Sequence, residues 1–125
     1  MKNQPNRVLV IDCNTDAAEI LGILLRGHGY DVQVKCDKMA ALATAKKFLP
    51  DCVVIDLGED SMDTYELAAA MRKIPTLQNT YLITLSAAGL PKSYEAPEFR
   101  IDMHLIKPSG YRTLIDVLKR HFAGL

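Results

Sequence analysis

Two stretches of this chain repeat one pattern, and that pattern constrains the fold more than any other feature. Val8-Leu9-Val10-Ile11 and Cys52-Val53-Val54-Ile55 are continuous apolar, largely β-branched runs, each closed by a carboxylate, Asp12 and Asp56. A strand that is apolar on both faces must be covered on both faces, as in the middle of a parallel sheet with helices above and below it. An antiparallel sheet with one wet face would alternate apolar and polar residues instead.

Between and after these runs, strand and helix signals alternate. Asn14 or Thr15 can cap a helix running to about Arg26, with Ala17, Ile20, Leu21, Leu24 and Leu25 on one stripe and Gly27 and Gly29 around its end. Tyr30 to Val34 alternates, as suits a strand nearer an edge. A helix over Lys38 to Phe48 presents Met39, Leu42, Ala43 and the Lys46 methylenes, and Pro50-Asp51 stops it. A third helix, Thr64 to Lys73, carries Leu67, Ala68 and Met71 and ends before Pro75. Tyr81 to Ser86 and Met103 to Ile106 read as strands, and the last helix, Tyr111 to Phe122, buries Leu114, Ile115, Leu118 and Phe122. Pro91 and Pro97 restrict the crossover from Ala87 to Arg100 to a short or irregular helix. Five strand and helix units predict an α/β fold: a flavodoxin-like doubly wound (βα)5 domain with a parallel five-stranded sheet in the order 2-1-3-4-5.

The length of 125 residues, with 49% hydrophobic and 24% charged residues, suits one domain over residues 1–125 with a core from about 7 to 122. Fifteen basic and fifteen acidic residues cancel, which disfavours direct binding of nucleic acid or acidic lipid. The start, Met1-Lys2-Asn3-Gln4-Pro5-Asn6-Arg7, lacks the apolar run of a signal peptide, and no stretch approaches the roughly 18 apolar residues of a membrane span. A cytoplasmic protein without a membrane partner is the expectation. Three cysteines, Cys13, Cys36 and Cys52, form no CxxC pair or zinc spacing. Their odd number argues against a disulfide framework and predicts reduced thiols, with Cys36 and Cys52 in or near the core.

In an open parallel sheet the ligand site lies beyond the carboxyl ends of the strands, at the topological switch point. There the first strand delivers Asp12, the third Asp56, the fourth Ser86 and the fifth Lys107. Two acids, a hydroxyl and an amine on one rim suit a phosphoryl-accepting carboxylate. Asp56 is then the nucleophile, Asp12 helps hold Mg²⁺, Ser86 donates to a phosphoryl oxygen, and Lys107 neutralises developing charge.

At this point the chain resembles the response-regulator receiver domain of two-component signalling, from Arg7 to Phe122. The resemblance rests on Val8-Leu9-Val10-Ile11-Asp12 with Asn14 following, and on Pro50-Asp51-Cys52-Val53-Val54-Ile55-Asp56. Met62-Asp63-x-Tyr65-Glu66-Leu67, the hydroxyl of Ser86 and His104-Leu105-Ile106-Lys107-Pro108 complete it. It implies a phosphorelay module, not a conventional enzyme, that at most catalyses its own phosphorylation and dephosphorylation. Asp56 takes a phosphoryl group, with Mg²⁺, from a histidine kinase or histidine phosphotransfer protein, and the surface around the fourth helix and fifth strand changes. The motif wording is most similar to receivers of hybrid sensor histidine kinases, which implies a fused kinase or output domain or a free-standing regulator.

The acid pair of the family is incomplete, because Cys13 stands where the second acid, a direct metal ligand, is usual. Mg²⁺ is hard and takes oxygen ligands, whereas a thiol is soft and mostly neutral at pH 7, so Cys13 is a poor ligand. The metal set implied is Asp12, Asp56, the backbone carbonyl of Gly58 and water, with Glu59 reaching in. Losing a carboxylate near 4 Å removes on the order of 4 kcal/mol of gross attraction at an effective dielectric of 20, so weakened or lost Mg²⁺ binding is expected. Fewer acids also lessen the repulsion among Asp12, Asp56, Glu59 and Asp60, leaving Lys107 to balance the pocket. A redox or modification role for Cys13 stands behind a plain thiol, since a neighbouring carboxylate raises thiol pKa.

The loop residues Glu59-Asp60, Thr64 in place of the usual glycine, and the Pro91 and Pro97 crossover also depart from the family. Tyr94, Phe99 and His104 surround the family's output surface, and His104 stands where many receivers place a switching aromatic; an ordinary exposed strand histidine is the plainer reading. His28 and His121, near helix ends, carry no chemistry in this reading. The alternative function is a pseudo-receiver, a phosphorylation-independent protein-interaction module. A third option is another doubly wound enzyme, a phosphatase or a flavin or nucleotide binder. Asn14 stands where such a phosphatase needs a second Asp, and no glycine-rich loop follows the first strand.

Overall fold

A computed structural model of the chain describes residues 4–56, 62–86, 100–106 and 110–124, the side chains at 62–65, 86 and 110 excepted. Its elements are β1 (Arg7–Asp12), α1 (Thr15–Gly27), β2 (Asp31–Lys35), α2 (Lys38–Phe48), β3 (Cys52–Asp56), α3 (Met62–Arg72), β4 (Tyr81–Ser86), β5 (Met103–Ile106) and α4 (Gly110–Phe122). A 3₁₀ turn, Pro75–Leu77, precedes β4. The strands form one five-stranded sheet in the expected order β2-β1-β3-β4-β5, and every pairing is parallel.

The unbroken apolar runs are explained by two cores, one on each face of the sheet. Val8 and Val10 of β1, Cys52 and Val54 of β3 and Ile83 of β4 pack with Leu21 and Leu25 of α1 and Leu114 and Leu118 of α4. Leu9, Ile11, Val53, Ile55 and Leu82 point the other way, onto Ala41 and Ala45 of α2 and Leu67, Ala68 and Met71 of α3. Alternate residues therefore serve opposite cores, and a polar residue inside β1 or β3 would be buried on either face.

The helix phases differ from the sequence expectation in α1 and α2. In α1 the buried residues are Ala18, Leu21, Gly22 and Leu25, whereas Ile20, Ile23 and Leu24 are exposed. A Cβ on Gly22 would stand 3.4 Å from Val34 Cγ2, so the smallest residues of the helix face the sheet where the backbones come closest. In α2 the same logic buries Ala41 and Ala45; Met39, Ala43 and Lys46 are exposed and Leu42 is only partly covered. Close approach selects alanine and glycine at the sheet, so of the expected α1 stripe Leu21 and Leu25 are buried and Ala17 partly so while Ile20 and Leu24 turn outward, and the expected α2 stripe is displaced onto Ala41 and Ala45. In α3 and α4 the expected Leu67, Ala68, Met71, Leu114, Ile115 and Leu118 are buried and Phe122 is partly so.

At the amino-terminal end of the sheet a buried guanidinium organises the loops, which sequence reading missed. Arg72, 7% exposed, donates to the carbonyls of Leu77, Gln78, Thr80 and Arg100 and pairs with Asp102 Oδ2 at 2.9 Å. Asp102 Oδ2 also accepts from the Leu82 N–H, and Thr80 Oγ1 donates to the Pro50 carbonyl. The irregular crossover expected from Ala87 to Arg100 lies, but for Arg100, outside the described residues.

Candidate functional site at the carboxyl ends of the strands

Parallel pairing places the last residue of β1 beside the last residue of β3. Asp12 and Asp56 are register partners, one rung beyond Ile11 and Ile55. Both carboxylates are partly buried, and strand alternation sets them on the face shared with Val10 and Val54. Ser86 closes β4 beside Ile106, the last residue of β5. The fold thus brings Asp12, Asp56 and the Ser86 backbone to one end of three neighbouring strands. Lys107, Gly58, Glu59 and Asp60, and the roles expected of them, lie outside the described residues, as do Tyr94, Phe99, Pro91 and Pro97.

The turn after β1 is built from its own side chains. Asp12 Oδ1 accepts from the Asn14 N–H at 2.8 Å, and Asn14 Oδ1 accepts from the Ala17 N–H at 3.1 Å, which caps α1 as expected. Asp12 is therefore held at one end of a short hydrogen-bonded chain whose other end is the first turn of a helix. Tyr111 of α4 reaches the same helix, donating its hydroxyl to the Ala17 carbonyl at 3.3 Å.

The cysteine expectations need correction here. Cys13 and Cys36 form a disulfide, with their Cα atoms 4.5 Å apart. Both are exposed, so Cys36 is not a core thiol and Cys13 is not a plain one. The cause is spatial: β1 and β2 are adjacent and in register to Ile11 and Lys35, so both cysteines emerge at the same end of neighbouring strands. Spacing along the chain carries no such signal. Cys52 conforms to the expectation; it is fully buried, and burial, reinforced by Asp102 and Asp51, pushes its thiol pKa well up.

The disulfide also alters the metal reading. The Cys13 sulfur, expected to be a poor ligand at the usual ligand position, is covalently committed to Cys36 and is no ligand in this state. Among the described residues no three metal-ligating side chains converge. The two carboxylates that remain are hard oxygen donors on adjacent strands, which fits Mg²⁺, an ion that commonly keeps several waters and takes only one or two protein carboxylates.

His104 is partly buried and its Nδ1 lies 2.6 Å from Thr84 Oγ1, its register partner on β4. It is neither a freely solvated ring nor part of the carboxylate pair. His28 caps the end of α1 through its backbone, and His121 stacks on Tyr81 with ring centroids 3.8 Å apart.

Comparison with known proteins places this arrangement. Residues 8–119 match the family described as response regulator receiver domain. The DNA-binding response regulator MtrA of Mycobacterium tuberculosis is 35% identical over 72 residues, covering 58% of this chain and 32% of MtrA. The regulator RpaA of Synechocystis is 26% identical over 103 residues, covering 82% of this chain and 43% of RpaA. The chain thus spans about a third of the length of the MtrA proteins it matches. Among solved structures, the chemotaxis response regulator CheY4 of Vibrio cholerae superposes with a TM-score of 0.82 at 25% identity, covering 94% of this chain and 98% of that one. The receiver domain of sensor histidine kinase PA1611 from Pseudomonas aeruginosa has a TM-score of 0.78 at 22% identity, covering 93% and 96%, and holds a magnesium ion in its active site cleft. At that identity the second likeness shows the fold alone. No helix among the described residues is long and apolar enough to cross a membrane.

Proposed function

The chain belongs to the response regulator receiver domain family, the phosphoryl-accepting modules of two-component signalling, and from that premise we propose that Asp56 is its phosphoacceptor. The observation that carries this reading is the register pair of Asp12 and Asp56 at the carboxyl ends of the two strands flanking the switch point.

In the proposed reaction a carboxylate oxygen of Asp56 attacks the phosphorus of a phosphohistidine, on a histidine kinase or a histidine phosphotransfer protein. The P–N bond breaks and the imidazole leaves with its electron pair and takes up a proton, so atoms and charge balance. Mg²⁺, when bound, neutralises charge on the phosphoryl oxygens. Asp12 and Asp56 hold it, with the Gly58 carbonyl as a third protein ligand in this reading. Asn14, through its N–H on Asp12 Oδ1, keeps the Asp12 carboxylate oriented. Ser86 donates its hydroxyl to a phosphoryl oxygen and Lys107 balances the charge. The domain promotes its own phosphorylation and dephosphorylation and has no other substrate. It works in the cytoplasm, either fused to a kinase or an output domain or as a free-standing regulator. Its balanced charge makes protein surfaces, not nucleic acid, the contacts we assign to it.

The test is phosphorylation by a small acyl phosphate, with and without Mg²⁺, followed by intact mass. The expected result is a Mg²⁺-dependent gain of one phosphoryl group that disappears in Asp56→Asn and is enhanced in Cys13→Asp, which restores the second acid. A gain that persists in Asp56→Asn would place the acceptor elsewhere. No gain in any form would leave a docking module that works without phosphate.

A further inference from the structure

We propose that Cys13 and Cys36 are a reversible dithiol–disulfide switch that sets the geometry of the Asp12 and Asp56 pair, an inference that rests on reading those carboxylates as the Mg²⁺-holding pair. Four observations carry it. The two sulfurs are bonded, both residues are exposed, and each therefore lies within reach of a small thiol or disulfide. Cys13 directly follows Asp12 and sits in the middle of the turn in which the Asn14 N–H holds Asp12 Oδ1. Cys36 occupies the equivalent turn after β2, next to Asp37, whose Oδ2 accepts from the Ala40 N–H and caps α2. Finally, Cys13 Sγ lies 3.0 Å from the Cys36 carbonyl oxygen, so the thiol formed on reduction has a hydrogen-bond acceptor in place and the pair suits either state.

The exchange balances with a low-molecular-weight disulfide as oxidant. One cysteine thiolate attacks that disulfide, forms a mixed disulfide and releases one small thiol. The second cysteine then attacks the mixed disulfide at the protein sulfur, closes Cys13 to Cys36 and releases the second small thiol. Two electrons pass from the protein to the oxidant, and the two protons of the cysteine thiols leave on the two small thiols. A small thiol reverses both steps. Cys52, buried beneath the sheet face, takes no part.

In the oxidised state the turns leading into α1 and α2 are covalently joined, and the turn that orients Asp12 is fixed at its middle residue. Reduction frees that residue and with it the placement of the neighbouring Asp12 carboxylate. Mg²⁺ demands near-ideal octahedral geometry and takes only one or two protein carboxylates, so a displaced Asp12 weakens its hold directly. Groups that orient a metal ligand without touching the metal change affinity by about tenfold or more when removed. Oxidation therefore strengthens, and reduction weakens, Mg²⁺ binding at this rim.

The experiment equilibrates the intact chain in buffers spanning glutathione to glutathione disulfide, traps free thiols by alkylation and counts them by mass. Each trapped state is also titrated with Mg²⁺ by calorimetry and treated with an acyl phosphate. The expected result is a transition from three alkylated cysteines to one in the unfolded, trapped protein, with Mg²⁺ affinity about tenfold higher in the oxidised form. Cys36→Ser should bind Mg²⁺ like the reduced form in every buffer, and circular dichroism of each form confirms that the fold is retained. The switch is overturned if the pair never closes in any buffer, or if both forms bind Mg²⁺ equally. If affinities differ yet neither form gains a phosphoryl group, the switch stands and the phosphoacceptor reading falls.

Discussion

The two ends of this sheet are built on opposite principles. At the amino-terminal end one cation, Arg72, is buried and surrounded by four carbonyls and the Asp102 carboxylate, and Asp51 adds a second knot by accepting from the Arg7 N–H at 2.8 Å. At the carboxyl end the described acids Asp12 and Asp56 are only partly buried and are accompanied by an exposed disulfide. Burial makes the first end a structural lock, because a buried group is costly to leave unsatisfied. Partial solvation leaves the groups of the second end open to the ions, phosphate and thiols that the proposed roles require. One sheet thus separates the end that holds the fold from the end to which the proposed chemistry is assigned.

The contrast breaks most visibly at Arg72. Arg72→Met should cost about 3 kcal/mol, because it leaves several loop carbonyls without their donor and Asp102 without its cation; the Leu82 N–H and the partial exposure of Asp102 keep the loss at the lower end for a broken buried pair. Urea unfolding measures it, and a loss under about 1 kcal/mol would mean that the two ends are not different in kind. Opening the Cys13–Cys36 bridge is expected to cost about 3 kcal/mol. Closing a loop over a separation of 23 residues favours the oxidised state by this order, and the thiol retains an acceptor when reduced. Equal midpoints with and without reductant would remove the bridge from the stability of this end.

Cys52 supplies a pH test on the locked side. Its folded pKa is raised by burial first and then by Asp102 and Asp51, so the folded state keeps a proton that the unfolded chain loses. Stability from this group is complete below the unfolded value near 8.5 and declines as pH rises above it, by at most about 1.4 kcal/mol per pH unit. Between pH 8.5 and 10, Cys52→Ala should flatten the fall in unfolding free energy relative to the native chain, and native Cys52 should resist alkylation at pH 9. Rapid native alkylation would show that the core opens locally at this strand. The smallest effect is expected on the outer face of α1. Ile23→Ser, at a residue 65% exposed, should change stability by less than about 0.5 kcal/mol, whereas a larger loss in thermal unfolding would mean that this face is covered.

How far the sequence was legible follows from what each feature depends on. The strands of β1 and β3 were plain because double-sided burial demands an uninterrupted apolar run, and their closing acids marked the rim directly. Asn14 as a cap was visible because a side-chain oxygen is needed wherever a helix begins after a bend. The sequence pattern marks Leu21 and Leu25 of α1 correctly but not Ala18, Gly22, Ala41 and Ala45, because close backbone approach to the sheet, which the chain order does not reveal, favours the smallest side chains there. Arg72 left no trace as a buried residue. A lone arginine near a helix end usually reaches water, and its five acceptors lie in two segments, 77–80 just beyond the helix and 100–102 distant along the chain.

By itself, then, the sequence determined the (βα)5 alternation, the parallel order of the sheet and the convergence of Asp12 and Asp56, because periodicity and strand ends are local properties that topology rules convert into position. Only the tertiary structure decided that Cys13 meets Cys36, that Ala18, Gly22, Ala41 and Ala45 are among the residues seating α1 and α2, and that Arg72 is locked beneath the loops. Those outcomes depend on distances between strands and helices remote in the chain, and a pair of cysteines or charges has no chemistry in common until the fold brings them within bonding reach.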